Sequence, residues 1–209
     1  MNTIFIDGLS FALPLFIMAI GGIYSERSGI TNLALEGLQG VGAFVGALSA
    51  VFMMQWLGTS SQIPFYGALL FAMLGGMVYA MLHALLCIKF KANQVISGVV
   101  INILGMALTA FLTKAINKSV FGATSDKFVL GVSERITIPV LSEIPVIGGI
   151  FQQIYPFEFI IIVVAVIAWY VLYKTRFGLH LRACGDNPHA VDAAGINVGR
   201  VRLIAVMVS

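Results

Sequence analysis

Apolar side chains run almost unbroken over long stretches of this chain, and charged side chains fall mostly between them. A helix needs about 20 mostly apolar residues to cross the hydrocarbon core of a bilayer. Five runs pass that test, the first only narrowly: Leu9–Tyr24, Leu33–Leu57, Phe65–Ile88, Gln94–Leu112 and Phe157–Tyr173. No residue between Glu36 and Lys89 carries a formal charge. A sixth run opens at Leu203 but reaches only Ser209, too short to span. The pattern predicts an all-α polytopic membrane protein. Residues 1–209 form a single multi-span helical bundle, and the sequence looks truncated inside a helix at its C-terminal end.

Basic residues orient the spans, because Lys and Arg concentrate on the cytoplasmic side. With the N-terminus outside, the inner segments hold Arg27, Lys89, Lys91, Lys174, Arg176, Arg182, Arg200 and Arg202. The outer segment, residues 113–156, holds Lys114, Lys118, Lys127 and Arg135, nearly balanced by Asp126, Glu134, Glu143 and the neighbouring Glu158. Residues 174–202 then form a cytoplasmic loop. The chain is therefore expected to cross its membrane several times.

Composition agrees and narrows the function. The chain is 59% hydrophobic and 10% charged, where soluble domains carry about 25% charged residues. That excludes an ordinary soluble enzyme, a disordered tail and a coiled coil. The net charge of +3 sits near the ends of apolar runs, so no nucleic-acid partner is expected. Cys87 and Cys184 make no disulfide framework or metal cluster. The N-terminus lacks the basic start and cleavage site of a signal peptide.

Small residues recur at every fourth position in two spans. Ala68, Ala72, Gly76, Ala80 and Ala84 form one row, and Gly42, Gly46 and Ala50 another. Such rows let helix backbones approach closely, and we read them, with His83 and the methionines, as packing. Polar residues at membrane depth are costly and therefore informative. Asn32, Glu36 and Gln39 fall at i, i+4 and i+7 on one helical face. Glu36 needs water, a cation or donors; Arg27 is a candidate partner. It serves either as part of a solute path or as a structural pair. A second row runs Gln94, Ser97, Asn102 and Thr109, beside Gly98 and Gly105. Amide groups offer both donors and acceptors, which suits a neutral hydroxyl-rich solute. Interhelical hydrogen bonding is the alternative, and we favour a translocation wall.

Within the cytoplasmic loop, Asn187 is a good N-cap. Pro188 suits the first helical position, and Gly195 suits the left-handed position that ends a helix. The predicted helix has about two turns, too short to persist alone in water. Ala190, Val191, Ala193 and Ala194 give it a small apolar face. A headgroup-lying helix would carry a larger apolar face and a basic one; Asp192 and the absence of Lys or Arg favour docking on another protein. The loop's His180 and His189 have no third metal ligand nearby, so no metal is expected. No phosphate-binding G-x-x-x-x-G-K-[ST] loop, H-E-x-x-H or G-x-S-x-G occurs; no catalytic residue is expected, and no cofactor in this chain. Asn117-Lys118-Ser119 fits a glycosylation sequon, a match short enough to arise by chance.

Three segments resemble one family. Glu26-Arg27-Ser28-Gly29, Asn32 and Leu35-Glu36-Gly37 resemble the "ERSG…N…LEG" signature of bacterial ABC-transporter permeases. Within the branched-chain amino acid and simple-sugar permease superfamily, they are most similar to the nucleoside branch. Ala92-Asn93-Gln94 through Ile96-Ser97-Gly98 and Asn102 resemble that branch's "ANxxISG…N" segment. Thr175-Arg176-Phe177-Gly178-Leu179 through Ala193-Ala194-Gly195-Ile196 resemble its coupling loop. Asp192-Ala193-Ala194-Gly195 departs from the E-A-A-x-x-x-G spacing of importers for other solutes. The resemblance implies a transport subunit rather than an enzyme, with ATP bound by a partner. It implies a second permease subunit, a separate ATP-binding cassette ATPase, an extracytoplasmic solute-binding protein and surrounding lipid. ATPase coupling would fall on Arg182, Gly185, Asp186, Asn187, Pro188, Ala193, Ala194 and Gly195. The implied cargo is a nucleoside, with a sugar or branched-chain amino acid as alternatives. An ion-coupled secondary transporter would need deeper carboxylates, and a membrane enzyme a convergent nucleophile or metal group.

Overall fold

The computed structural model describes residues 2–58, 61–130, 135–142, 155 and 157–209. Glu134 and Glu143, expected to balance the outer basic residues, lie outside the described residues. The elements are α1 (Asn2–Arg27), α2 (Leu35–Leu57), α3 (Ile63–Ala84), α4 (Gln94–Val120), α5 (Pro139–Ser142), α6 (Phe157–Lys174), α7 (Arg176–Asp186), α8 (Pro188–Ala193) and α9 (Val198–Val208). Four stretches, α2, Ile63–Lys89, α4 and α6, are long and apolar enough to cross a membrane. The first expected span lies inside α1, whose 26 residues extend about 39 Å at 1.5 Å per residue. The chain is an all-α, multi-pass membrane protein.

Several boundaries differ from the sequence pattern. α4 continues eight residues past Leu112 and carries Lys114 and Lys118 near its C-terminal end, where long basic side chains can reach the interface. α3 ends in a π-helical turn, Leu85–Lys89. The expected cytoplasmic loop is mostly helical. α7 starts at the Thr175 cap, whose hydroxyl accepts from the Gly178 N–H at 3.2 Å. Its buried side, Gly178, Leu181 and Cys184, repeats every third residue. α9 opens at Val198, five residues before the expected run, because the Asn197 side chain caps it by accepting from the Arg200 N–H at 2.9 Å. Arg200 and Arg202 are therefore helical.

Two clusters hold the fold. One joins α2, α3, α4 and the turn before α2 through Ile30, Ala34, Leu38, Tyr79, Ala80, Ala84 and Ile101. The small-residue rows meet there as expected: a Cβ on Gly46 would stand 2.8 Å from the Ala68 carbonyl, and one on Gly42 2.9 Å from that of Ala72. The other cluster joins α1, α6, α7, α8 and α9 through Tyr24, Leu172, Leu181, Cys184, Val191, Val201 and Ala205. His83 is fully buried and hydrogen-bonds Ser97 Oγ from α3 to α4 at 3.0 Å. Asn117, the sequon asparagine, is buried and donates to the carbonyls of Ser125 and Lys127 at 2.9 and 3.0 Å. It pins the segment after α4, and Phe128 packs on Phe44 of α2.

Candidate functional site

One end of the bundle is assembled around the turn between α1 and α2. Gly29, at φ +85°, ends α1 in the left-handed region where a glycine is favoured. Ser28 Oγ donates to the Ser25 carbonyl at 2.6 Å, and Ser25 Oγ to that of Ile30 at 2.8 Å. The Thr31 N–H donates to Gln94 Oε1 at 2.7 Å. Asn32 is buried; its amide donates to Ser209 Oγ at 2.7 Å and its oxygen accepts from the Ala34 N–H at 3.0 Å. α2 begins only at Leu35, so Asn32 does not share a helical face with Glu36 and Gln39.

The α4 residues turn toward this same turn. Asn102 Oδ1 accepts from the Gly37 N–H at 2.7 Å, and its Nδ2 donates to the Leu33 carbonyl at 2.7 Å. The first N–H groups of a helix lack intrahelical partners, and Ala34 offers no side-chain cap. Asn102 supplies the cap from another helix. Backbone contact at this crossing leaves no room for side chains: a Cβ on Gly37 would stand 2.8 Å from Asn102 Cα, and one on Gly98 2.8 Å from Leu33 Cβ. Ser97 is taken up by His83. Thr109 Oγ1 bonds back within α4, to the Gly105 carbonyl at 2.8 Å.

Glu36 and Gln39 behave differently. Both are exposed, and their side chains make no hydrogen bond or ion pair among the described residues. The expected Glu36–Arg27 pair does not form, because Arg27 ends α1 beside α7. Open space surrounds Gly40, and Ala43 is exposed. Glu36, Gln39, Gly40 and Ala43 follow helical spacing, so the N-terminal half of α2 presents a polar, small-residue face. Gly40 and Ala43 were legible only as the i+4 and i+7 neighbours of Glu36. Elsewhere the exposed faces are large and apolar, with Leu70, Met73, Leu74 and Val78 on α3 and Val99, Val100, Ile103 and Met106 on α4.

The expected cytoplasmic helix forms as α8. Asn187 Oδ1 accepts from the Ala190 N–H at 3.1 Å, Pro188 takes the first position, and Gly195 stands at φ +80°. It is six residues long. Val191 is buried against the second cluster, while His189, Ala190, Asp192, Ala193 and Ala194 are exposed. Arg182 packs over the Tyr173 ring at 5.3 Å and donates to the Gly178 carbonyl at 3.3 Å. Asp186 is exposed, and Gly185 lies with its backbone against the Arg27 carbonyl. Burial raises the Cys184 thiol above its ordinary pKa, and Arg202 nearby pulls it back down.

Residues 4–209 match the family described as branched-chain amino acid transport system / permease component. The chain belongs to this family. Within the permease family it is 40% identical over 202 residues to the guanosine ABC transporter permease protein NupQ of Bacillus subtilis (strain 168), covering 96% of this chain and 61% of that one. It is 40% identical over 206 residues to the nucleoside ABC transporter permease protein NupC of Lactococcus lactis subsp. cremoris (strain MG1363), again covering 96% and 61%. The putative glucose ABC transporter permease protein TsgC13 of Haloferax volcanii is 32% identical over 203 residues, covering 94% of this chain and 56% of that one. The chain thus spans about three fifths of the length of the curated relatives it matches. No solved structure matches it.

Proposed function

We propose that this chain is the permease subunit of an ATP-driven importer in a bacterial cytoplasmic membrane, and that its cargo is a nucleoside. The observation that carries the path is the open face of α2. An ionisable group facing lipid is expensive, so Glu36 with Gln39 beside it is better accounted for by water and solute. Glu36 accepts hydrogen bonds and Gln39 both donates and accepts, which matches the hydroxyls and ring nitrogens of a nucleoside. The names of the relatives at 40% identity support that cargo. Asn32, Gln94 and Asn102 fix the turn behind this face, Ser97 ties α4 to α3 through His83, and together they serve the path by holding α2 in place.

On this reading a second permease subunit completes the path, and an extracytoplasmic binding protein delivers solute. A separate ATPase docks on the exposed side of α8, at Asn187, Ala193 and Ala194, with Pro188 and Gly195 fixing the helix. Arg182, Gly185 and Asp186 connect that helix to the bundle. Eight of the basic residues face the cytoplasm. A sugar cargo is the second reading, favoured by the 32% identity to a putative glucose permease. Uptake of labelled nucleosides, sugars and branched-chain amino acids by cells carrying the full operon separates them. We expect ATP-dependent nucleoside uptake; glucose uptake without nucleoside uptake would transfer the assignment to the sugar branch.

A further inference from the structure

Arg202 lies half-buried on α9 and makes no ion pair among the described residues. Its guanidinium donates instead to two backbone carbonyls. Nε reaches the Ser28 carbonyl at 2.9 Å, and Nη2 the Cys184 carbonyl at 3.1 Å. Both acceptors sit at helix C-termini: Ser28 follows the last residue of α1, and Cys184 lies in the final turn of α7. Carbonyls there lack intrahelical donors and carry the negative end of the helix dipole. One planar cation therefore closes two helix ends at once. The rigid fork of Arg suits that task, whereas the ammonium of Lys is a point charge.

The two helix ends also touch directly. The backbone of Gly185 lies against the Arg27 carbonyl, where a Cβ would overlap it, and a Cβ on Gly29 would stand 2.8 Å from Arg202 Nη2. On one side of this joint, α8 begins two residues beyond α7 and is anchored by Val191 to the cluster holding Leu181, Cys184 and Val201. On the other side, the turn held by Ser25 and Ser28 leads into α2 and Glu36.

We propose that Arg202 is the positioning residue that locks the α7–α8 unit to the α1–α2 turn, so that a displacement imposed on α8 reaches the open face of α2. This rests on the reading of α8 as the ATPase docking helix. The test uses the full-length permease assembled with its ATPase and binding protein. Spin labels at His189 and Thr31, both exposed, report the separation of the two units, and the native cysteines are both buried. In the wild type the 189–31 distance should be the same in nucleotide-free and ATP-trapped complexes.

Arg202→Gln should still copurify with the ATPase. Its transport per ATP hydrolysed should fall roughly tenfold, within the usual range of a coupling between sites, and its 189–31 distance should change with nucleotide state. Arg202→Lys should fall between the two. Wild-type transport per assembled complex in Arg202→Gln, or a nucleotide-independent 189–31 distance in it, would overturn the proposal. If Arg202→Gln does not assemble, Arg202→Lys decides: assembly with partial uncoupling supports the proposal, and full coupling overturns it. If neither assembles, Arg202 is a folding cap and the proposal is overturned. Ala194→Arg serves as the control for docking, since it should lose the ATPase itself. Retention of the ATPase by that variant would refute the docking role of α8 and would be separable from any result at Arg202.

Discussion

On α4, Gln94, Ser97 and Asn102 are engaged by other parts of the protein; on α2, Glu36 and Gln39 face away from it. The two rows have similar chemistry and similar spacing. One is consumed in holding helices together, as most interhelical hydrogen bonds in membranes are. The other is left for something outside the chain. Polarity at membrane depth therefore marks a path only after the internal partners have been counted. The substitutions below test that division.

The largest effect should come from Glu36→Gln. Replacing the carboxylate proposed to accept from solute should forfeit about 1.5–3 kcal/mol, or roughly tenfold to a hundredfold in nucleoside uptake, with normal membrane expression. Lowered expression with normal uptake per molecule would assign Glu36 to structure and erase the difference between the rows.

Asn102→Leu should do the reverse. It strips the cap from α2 and leaves the Gly37 N–H and Leu33 carbonyl unpaired, a cost of about 1–3 kcal/mol. Thermal unfolding of the detergent-solubilised transporter should shift downward by several degrees, while uptake per folded complex stays near wild type. A loss of uptake without a loss of stability would return Asn102 to the path.

Thr109→Val should show the smallest effect. The hydroxyl bonds only to its own helix, and replacing it should change stability and uptake by less than about 0.5 kcal/mol. A substantial uptake defect would mean that the outer part of the α4 row meets solute.

Much of the fold was legible because apolar run length and small-residue spacing report directly on spans and their closest crossings. The α8 helix was legible because its signals are local: Asn187, Pro188 and Gly195 act within a few residues of one another. The α7 helix was hidden by its composition. Gly178, Gly185 and three charged residues interrupt its apolar side, and its buried repeat of Gly178, Leu181 and Cys184 is a single narrow stripe. The start of α9 was masked because Arg200 and Arg202 look like loop residues until Arg202 is seen capping two other helices. The polar rows could not be separated by periodicity. The partners of Asn102 and Gln94 are backbone groups more than 60 residues away, and nothing in the spacing of either row announces them.

The central claim is that the N-terminal half of α2 faces water while the open face of α4 does not. Single cysteines at Gln39 and Ala43, and at Val100 and Ile103, in the full-length assembled transporter test it most directly with a small, charged, membrane-impermeant thiol reagent applied from each side. The account predicts reaction at positions 39 and 43, slowed by nucleoside, and none at 100 and 103. Unreactive cysteines at 39 and 43, or equal reaction at all four positions, would contradict it.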